Sequence, residues 1–244
     1  MKRELSRKKN IVNIVWFKKD LRSSDHAPLY EAALGEYPVL PIYVFEPDYW
    51  KQEDAAFRHW EFTKQSLEFL RADLCTLGQA LVFRKGKILE IFEDLRKEFT
   101  INAVYSHQET GNAWTFERDK SVRYWGRVNG VKILEYQNNS IIRGLADRDK
   151  WATQRDKFMS KPIIEKPNIR PLEIDLAQIS VDINFRGNSV KNNKQIGGAE
   201  NGWKYLESFF QGRGNNYRKD TVSYTHLRAH ETDSYLVCRL LLEK

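Results

Sequence analysis

The stretch IVNIVWFKKDLRSSDHAPLYEAAL, residues 11–34, decides the fold class of this chain. Its first seven residues, Ile11–Phe17, are apolar and rich in β-branched side chains, which is typical of a buried parallel strand. A polar loop follows, and Asp25 stands at the N-cap position before the helical segment APLYEAAL, which ends at Gly35. The stretch therefore predicts a strand, a loop at the strand's carboxyl end, and a crossover helix.

Strand and helix continue to alternate up to Gln137. Further strands are predicted at Val39–Phe45, Leu81–Phe83, Asn102–His107 and Val131–Tyr136, and the helices between them at residues 57–77, 88–99 and 113–128. Parallel strands need crossover helices, and these connections are right-handed. The sequence therefore predicts an α/β fold with a doubly wound, Rossmann-like, five-stranded parallel sheet of order 3-2-1-4-5.

The pattern changes after residue 137. Residues 138–200 have weak periodicity, three prolines and one short helical segment, Trp151–Met159, which predicts a long connector over the surface. Residues 201–221 contain an amphipathic helix, Trp203–Phe210, and are expected to begin a second, helical domain.

Composition narrows the class of protein. Hydrophobic residues make up 41% and charged residues 30% of the 244 residues, as in ordinary globular proteins. The polar, basic N-terminus contains no signal-peptide core, and no apolar run approaches the roughly 20 residues of a membrane span, so we expect a cytoplasmic protein without a membrane partner.

The net charge of +7 favours an anionic partner such as nucleic acid, although a basic surface without a specific partner explains it equally well. Cys75 and Cys238 lack metal-ligand spacing, so no metal site is predicted.

A doubly wound sheet binds ligands at the carboxyl ends of its strands, where the strand order reverses. In this chain that point lies between the first and fourth strands, so the important loops are residues 18–25 and 106–112, with Glu46 beside them. Neither loop has the glycine pattern of a dinucleotide-binding or P-loop protein. The second loop instead offers polar groups that can bind a flat heterocycle, namely His107, Gln108, Glu109, Thr110 and Asn112.

A structural interpretation of these polar residues stays open beside the functional one. Asn112 would then only cap the helix that begins at Ala113, and Gly111 would only turn the chain. Similarly, Asp20 and Arg22 would form no more than a structural ion pair.

The segment WFKKDLRSSDHAPLYEAAL, residues 16–34, resembles the first strand and loop of photolyases and cryptochromes. The resemblance continues through VLPIYVFEP, LGQALVFRKG, VYSHQETGNAWTFERD and EYQNNSIIRGL, in that order. It covers roughly residues 11–220, and the ordered series of segments is more specific than any one of them.

The resemblance implies an N-terminal α/β domain, residues 1–137, that holds a light-harvesting antenna chromophore in the crevice described above. The chromophore would be a reduced folate or a deazaflavin, and a second flavin would also suit the crevice. An all-helical domain would bind FAD, which donates an electron to a pyrimidine dimer in damaged DNA. The expected activity is that of a deoxyribodipyrimidine photo-lyase, a carbon–carbon lyase acting as a monomer. A cryptochrome-type blue-light receptor and a stand-alone chromophore- or nucleotide-binding module are the alternatives.

Carried onto this chain, the resemblance assigns antenna contacts to seven residues: Lys18, Lys19, Phe45, Glu46, His107, Glu109 and Asn112. Glu109 and Asn112 rank highest among them. Tyr217 is assigned to the start of the FAD site. No residue of this chain is predicted to be catalytic, because an antenna transfers energy across a distance and needs no bond chemistry.

The resemblance ends after Asp220. Residues 222–244, VSYTHLRAHETDSYLVCRLLLEK, resemble translated sequencing-adapter sequence, so we expect them to be non-native. His226 and His230 are spaced for one helical face, but they have no third ligand and carry no predicted metal site. The FAD domain would then lie outside this chain, and the chain alone would not repair DNA.

Overall fold

The computed structural model describes residues 9–139, 141–183 and 195–216. The five strands are Ile11–Phe17 (β1), Val39–Phe45 (β2), Val82–Lys85 (β3), Thr100–His107 (β4) and Lys132–Tyr136 (β5). The helices are Ala27–Leu34 (α1), Phe57–Thr76 (α2), Ile88–Glu98 (α3), Ala113–Asn129 (α4), Trp151–Met159 (α5) and Ala199–Ser208 (α6). Two 3₁₀ turns, Arg148–Lys150 and Leu176–Ile179, and a π-helical turn, Phe209–Arg213, complete the described elements. The chain divides into two compact units, residues 1–198 and 199–244.

The sheet has the order β3-β2-β1-β4-β5, and all four strand pairs are parallel. This confirms the predicted topology. The first strand lies in the centre, where Trp16 pairs with Ile42 of β2 and Ile14 pairs with Val104 of β4. The strand order therefore reverses between β1 and β4, and the carboxyl ends of both strands meet at one edge.

Alternation along β1 divides the core into two layers, because successive side chains of a strand point to opposite faces. Trp16 and its neighbours at even positions pack with α3 and α4, whereas Phe17 and its neighbours at odd positions pack with α1 and α2. Both faces of the central strand are therefore covered, which explains why Ile11–Phe17 is apolar almost throughout.

The N-cap of α1 is His26, and the prediction of Asp25 is wrong. The His26 side chain accepts a hydrogen bond from the backbone nitrogen of Leu29 at 3.1 Å. Asp25 has a positive φ of 49° and instead contacts the connector, since its carboxylate accepts from the backbone nitrogen of Ile164 at 3.3 Å. The cap moves by one residue because the Asp25 carboxylate is engaged by this distant segment.

The connector does more than cross the surface. Among its described residues, four buried aliphatic side chains belong to the two core layers: Ile169, Leu172, Leu176 and Ile183. Its backbone also lies along the edge strand β3, where the nitrogen of Val181 donates to the carbonyl of Phe83 at 2.8 Å. This contact covers the free edge of the sheet, which would otherwise expose unpaired backbone groups.

The second unit is described for residues 199–216 only. Its helix α6 begins four residues before the predicted position and continues into the π-helical turn. None of its described residues is buried, and Trp203 and Phe210 are 60% and 74% exposed.

Candidate functional site

The candidate site is the crevice at the carboxyl ends of β1 and β4, formed by loops 18–25 and 106–112. Two groups of charged side chains lie there, on opposite faces of the sheet. The group on the α4 side is centred on Arg118, and the group on the α1 side is centred on Asp20. Both groups are nearly excluded from solvent, so their charges interact strongly.

Arg118 joins the ends of two strands to α4. Its Nη1 atom lies 2.7 Å from Glu46 Oε2, at the end of β2, and its Nη2 atom contacts Glu109, beyond the end of β4. Nη2 also lies 3.0 Å from Asp119 Oδ1. The guanidinium lies over the ring of Trp16, with its central carbon 4.7 Å from the ring centroid. The crevice is thus spanned on this side by one arginine.

Two further cations complete what we call the Arg118 network. Lys18 Nζ lies 3.0 Å from Asp119 Oδ2, and Arg143, from the connector, approaches the same oxygen at 3.0 Å. Arg143 also contacts Glu135 of β5 at 3.2 Å and donates to the backbone carbonyl of Glu109. The network therefore comprises Lys18, Glu46, Glu109, Arg118, Asp119, Glu135 and Arg143.

Burial and charge act against each other in this network. Burial raises the pKa of Glu46 although Arg118 opposes it. For Asp119, burial would raise the pKa, but Lys18 and Arg118 outweigh it and the pKa is lowered. For Arg118, burial is outweighed by Glu46 and Glu109, so the pKa of the guanidinium is raised. The arginine is therefore the fixed positive charge around which the carboxylates are arranged.

On the α1 side, the Asp20 carboxylate binds two histidines with one oxygen. Asp20 Oδ2 lies 2.8 Å from His26 Nε2 and 2.6 Å from His107 Nδ1. Its other oxygen accepts from the backbone nitrogen of Lys18 at 2.8 Å. Burial would raise the pKa of Asp20, but the hydrogen bonds from His107 and His26 outweigh it and hold that pKa well below its usual range. Asp20 is therefore ionised at neutral pH. We call Asp20, His26 and His107 the Asp20 cluster.

The three side chains of the Asp20 cluster place metal-ligand atoms within 4.8 Å of one another. The proton positions do not suit a metal ion, however. His26 Nδ1 accepts from the backbone nitrogen of Leu29, so in the neutral ring the proton lies on Nε2 and points at Asp20. A metal ion would need the lone pair of that same nitrogen. The cluster is a hydrogen-bonded one.

The mouth of the crevice is less buried and more aromatic. Lys19 has a side chain that is 55% exposed, and its Nζ atom lies 3.2 Å from Glu109 Oε1. The same ammonium lies 5.1 Å from the ring centroid of Tyr49, which is 5.7 Å from that of Trp114. Burial lowers the pKa of Lys19, but Glu109 and Tyr49 outweigh it and the pKa is raised. A persistent cation beside one aromatic ring, with a second ring in contact with the first, is suited to a flat, partly anionic ligand.

The predicted residues other than Phe45 and Asn112 occupy four kinds of position. Lys18, Glu46 and Glu109 belong to the Arg118 network, and His107 belongs to the Asp20 cluster. Lys19 stands at the mouth. Tyr217 lies outside the described residues, as do His226 and His230.

Phe45 and Asn112 have structural roles. Phe45 is 2% exposed and packs against Trp50 and Trp60 in the core, with ring centroids 6.1 and 4.8 Å away. Asn112 caps α4 by accepting from the backbone nitrogen of Thr115 at 3.1 Å, and its amide donates to Asp54 at 3.0 Å. The predicted capping role of Asn112 is confirmed, and its contact with a chromophore stays a prediction.

The ion pair predicted between Asp20 and Arg22 is wrong. Asp20 binds the two histidines, whereas Arg22 donates to the carbonyl of Asp25 at 2.9 Å and to Asn138 at 2.9 Å.

Sequence reasoning missed the two arginines of the network and the aromatic residues at the mouth. Arg118 and Asp119 stand in the segment FERD, six and seven residues after the cap Asn112, and this position near the start of α4 could have indicated them. Arg143 is 34 residues from Glu109 along the chain, and no local pattern connects the two.

Comparison with known proteins supports the family. The sequence model of the family described as DNA photolyase matches residues 13–150, more than half of the chain. The chain belongs to the DNA photolyase family. Its curated relatives include cryptochrome-1 of Gallus gallus, 31% identical over 140 residues, and cryptochrome DASH of Arabidopsis thaliana, 32% identical over 112 residues. These matches cover 57% and 43% of this chain but only 22% and 20% of the relatives. The chain thus matches about a fifth of the length of these relatives.

Solved structures of the photolyase family share the fold. A Synechocystis cryptochrome superposes with a TM-score of 0.66 at 21% identity, over 87% of this chain and 49% of that one. A class III photolyase from Agrobacterium tumefaciens gives a TM-score of 0.65 at 18% identity, over 89% and 48%. An archaeal photolyase from Sulfolobus tokodaii, solved with two FAD molecules, gives 0.55 at 16% identity, over 69% and 40%. No helix among the described residues is long and apolar enough to cross a membrane.

Proposed function

We propose that this chain is the antenna-binding α/β domain of a light-dependent deoxyribodipyrimidine photolyase. The observation that carries the proposal is the mouth of the crevice, where the strand order reverses: Lys19 pairs there with Glu109 and lies beside the ring of Tyr49, which in turn contacts Trp114. In a member of the DNA photolyase family, this combination of charge and aromatic surface suits a flat chromophore. The candidate antennas are a reduced folate, a deazaflavin and a second flavin, and the two FAD molecules of the Sulfolobus tokodaii photolyase support including the last.

In this proposal the site residues hold the chromophore still and keep water away from it. Lys19, Glu109 and Asn112 contact it at the mouth, and His107 contacts it from the sheet edge. Lys18 and Glu46 act through the Arg118 network, which fixes Glu109, while Phe45 supports the loop from within the core. These roles need rigidity, which buried ion pairs with several partners provide.

The domain assignment belongs to the same proposal. Residues 1–137 form the antenna domain, residues 138–200 the connector, and residues 201–221 the start of an FAD-binding helical domain that includes Tyr217. We assign no native role to residues 222–244. Repair of pyrimidine dimers in damaged DNA then belongs to a longer protein that carries FAD, and the 244-residue chain alone is inert in repair.

A cryptochrome-type blue-light receptor is the second candidate. The presence of cryptochrome-1 and cryptochrome DASH among the curated relatives favours it. Both candidates use the same crevice and the same antenna, so they predict the same binding by this chain. Repair activity of the FAD-containing protein distinguishes them.

The experiment is a set of absorption and fluorescence titrations of the purified chain with 5,10-methenyltetrahydrofolate, 8-hydroxy-5-deazaflavin and FAD. We expect one of them to bind stoichiometrically. Glu109→Gln should weaken this binding about tenfold, because it removes a charged partner of Lys19 while keeping the side chain's shape. The matched control is Glu117→Gln, since Glu117 pairs with Lys120 on the exposed side of α4.

The outcomes are distinct. If none of the three chromophores binds, the antenna proposal is wrong. If Glu117→Gln weakens binding as much as Glu109→Gln does, the site lies elsewhere. Repair of thymine-dimer DNA by the 244-residue chain with FAD and light would overturn the proposal that this chain is inert.

A further inference from the structure

The two edges of the sheet differ in how they are covered. Along β3 the connector supplies a backbone partner, since the nitrogen of Val181 donates to the carbonyl of Phe83. Along β5 no residue that the structure describes makes a backbone hydrogen bond to the outer side of the strand. An open edge of this kind is a template for pairing with another strand.

The last residue of β5 shows which backbone groups point outward. The carbonyl of Tyr136 accepts from the backbone nitrogen of Gln108, just after β4, at 2.8 Å, so it points toward β4. The N–H and C=O groups of one residue point to the same side of a strand, and the side alternates from residue to residue. Leu134 therefore also bonds to β4, whereas Ile133 and Glu135 direct their N–H and C=O groups outward.

The side chains of β5 divide between the two faces of the sheet. Ile133 packs against the core layer on the α4 side. Tyr136 lies on the α1 side, where its ring stacks on that of Tyr105 with the centroids 6.4 Å apart. Because side chains alternate along a strand, Lys132 and Leu134 lie on the α1 side as well. Leu134 is half-buried and belongs to neither core layer, so it leaves apolar surface at this edge.

Two exposed charges on the α1 side, Lys132 and Glu31, form no ion pair with any residue that the structure describes. Lys132 is the first residue of β5. Glu31 belongs to α1, which packs against β5. Burial raises the pKa of Tyr136 to about 12, and the nearby charge of Glu31 contributes to this, so Glu31 lies close to the last residue of the strand. The edge thus has a cation at one end and an anion at the other.

We propose that the edge of β5 binds the same edge of a second copy of this chain, antiparallel, about a two-fold axis at Leu134. Ile133 of each copy then exchanges two backbone hydrogen bonds with Glu135 of the other, so all the outward groups of these residues are paired. The two Leu134 side chains meet at the axis. The two parallel sheets become one continuous sheet, joined by an antiparallel pair in its centre.

Charge complementarity selects a second copy as the occupant. In this register Lys132 of each copy lies opposite Tyr136 of the other, and therefore beside the other copy's Glu31. A lysine on an edge strand usually discourages pairing, but here it meets an anion and an aromatic ring, and symmetry provides this contact twice. The register that places Glu135 opposite Glu135 instead brings like charges together. The surface is separated from β1 by β4, so the inference does not rest on the proposed function of the crevice.

Sedimentation velocity of the full chain tests the proposal. We expect a monomer of 28.8 kDa at about 1 µM and a dimer of twice that mass at about 100 µM. Lys132→Glu and Glu31→Lys each place like charges opposite one another, so each should weaken the dimer about tenfold. Lys87→Glu, the same change of charge at an exposed position before α3, is the matched control and should leave the dimer unchanged.

An equimolar mixture of Lys132→Glu and Glu31→Lys distinguishes this surface from any other. In the mixed dimer the two introduced side chains face each other with opposite charges, and the native Lys132 faces the native Glu31. We therefore expect the mixture to dimerise about as strongly as the wild type, although each variant alone does not. Both substitutions are at exposed positions, so each variant should keep the Tm of the wild-type chain within a few degrees.

Three results would overturn the proposal. The first is a wild-type chain that stays monomeric at about 100 µM. The second is a dimer that neither substitution weakens, because it would then form through another surface. The third is a mixture of the two variants that dimerises no better than either variant alone, since the two positions would then not face each other.

Discussion

Asp20 illustrates how one buried carboxylate can organise a site. It accepts hydrogen bonds from the backbone nitrogen of Lys18, from His26 and from His107, and these bonds connect the end of β1 to the cap of α1 and to the end of β4. Unpaired, a buried charge would cost several kcal/mol. With three donors it instead fixes the orientation of two histidine rings.

The histidine cap of α1 makes stability depend on pH. Burial lowers the pKa of His26, so the folded chain keeps this ring neutral at a pH where the unfolded chain, with a pKa of about 6.5, binds a proton. As the pH falls below about 6.5, the unfolded state gains protons that the folded state does not, and the free energy of unfolding decreases. His26→Asn, which can still cap the helix, should remove this loss.

Urea unfolding at about pH 7.5 and about pH 5.5 measures the effect. We expect the wild-type chain to lose more stability than His26→Asn between the two conditions. Equal losses in the wild type and His26→Asn would show that His26 is not kept neutral by burial.

At the scale of elements, the sequence predicted the sheet because the strands are short, apolar and separated by helices. Ile11–Phe17, Val39–Phe45 and the order 3-2-1-4-5 were all predicted. The cap of α1 was not, because Asp25 is engaged by Ile164, which is 139 residues away along the chain. The packing of the connector was also missed, since isolated aliphatic residues such as Ile169 have no periodicity to identify them.

Gly78 is the point where the end of α2 meets the connector. It has a φ of 102°, and a Cβ atom there would lie 2.9 Å from the backbone carbonyl oxygen of Ile169. Gly130, at the end of α4, also has a positive φ of 69°, but a Cβ atom there would meet nothing within 4 Å. The two glycines therefore differ in whether the connector restricts them.

Gly78→Ala should lower the free energy of unfolding by clearly more than Gly130→Ala does. The latter incurs only the backbone strain of about 1 kcal/mol, whereas the former must also displace the connector. Urea unfolding gives both values, and limited proteolysis of residues 160–183 should be faster in Gly78→Ala alone. Equal destabilisation by the two substitutions would mean that the connector does not press on Gly78.

At the scale of the whole molecule, the sequence predicted where the candidate site lies but not which of its charged side chains form ion pairs. The reversal of strand order predicted that loops 18–25 and 106–112 lie together, and the structure brings Lys18, His107 and Glu109 to this edge of the sheet. Which charges pair depends on side chains brought from α4 and the connector, such as Arg118 and Arg143. Those contacts join residues far apart in the chain, and only the folded structure brings them together.

The distribution of the core predicts where the chain can be shortened. All buried apolar side chains that the structure describes lie between Val12 and Ile183. We therefore expect residues 1–198 to fold with the Tm of the full chain to within a few degrees and to bind the same antenna. A chain ending at residue 166 would lose Ile169, Leu172, Leu176 and Ile183, each worth about 1.5–3 kcal/mol when buried.

That shorter chain would also uncover the edge of β3, so its Tm should fall by about 10 °C or more. Thermal unfolding of the two shortened chains and of the full chain measures the three Tm values to be compared. If the chain ending at residue 198 is as unstable as the one ending at 166, residues 199–244 contribute to the fold of the first unit. The connector would then not be sufficient to complete the core. A third shortened chain, which lacks only residues 222–244, tests their assignment as non-native, and a lower Tm of that chain would show the assignment to be wrong.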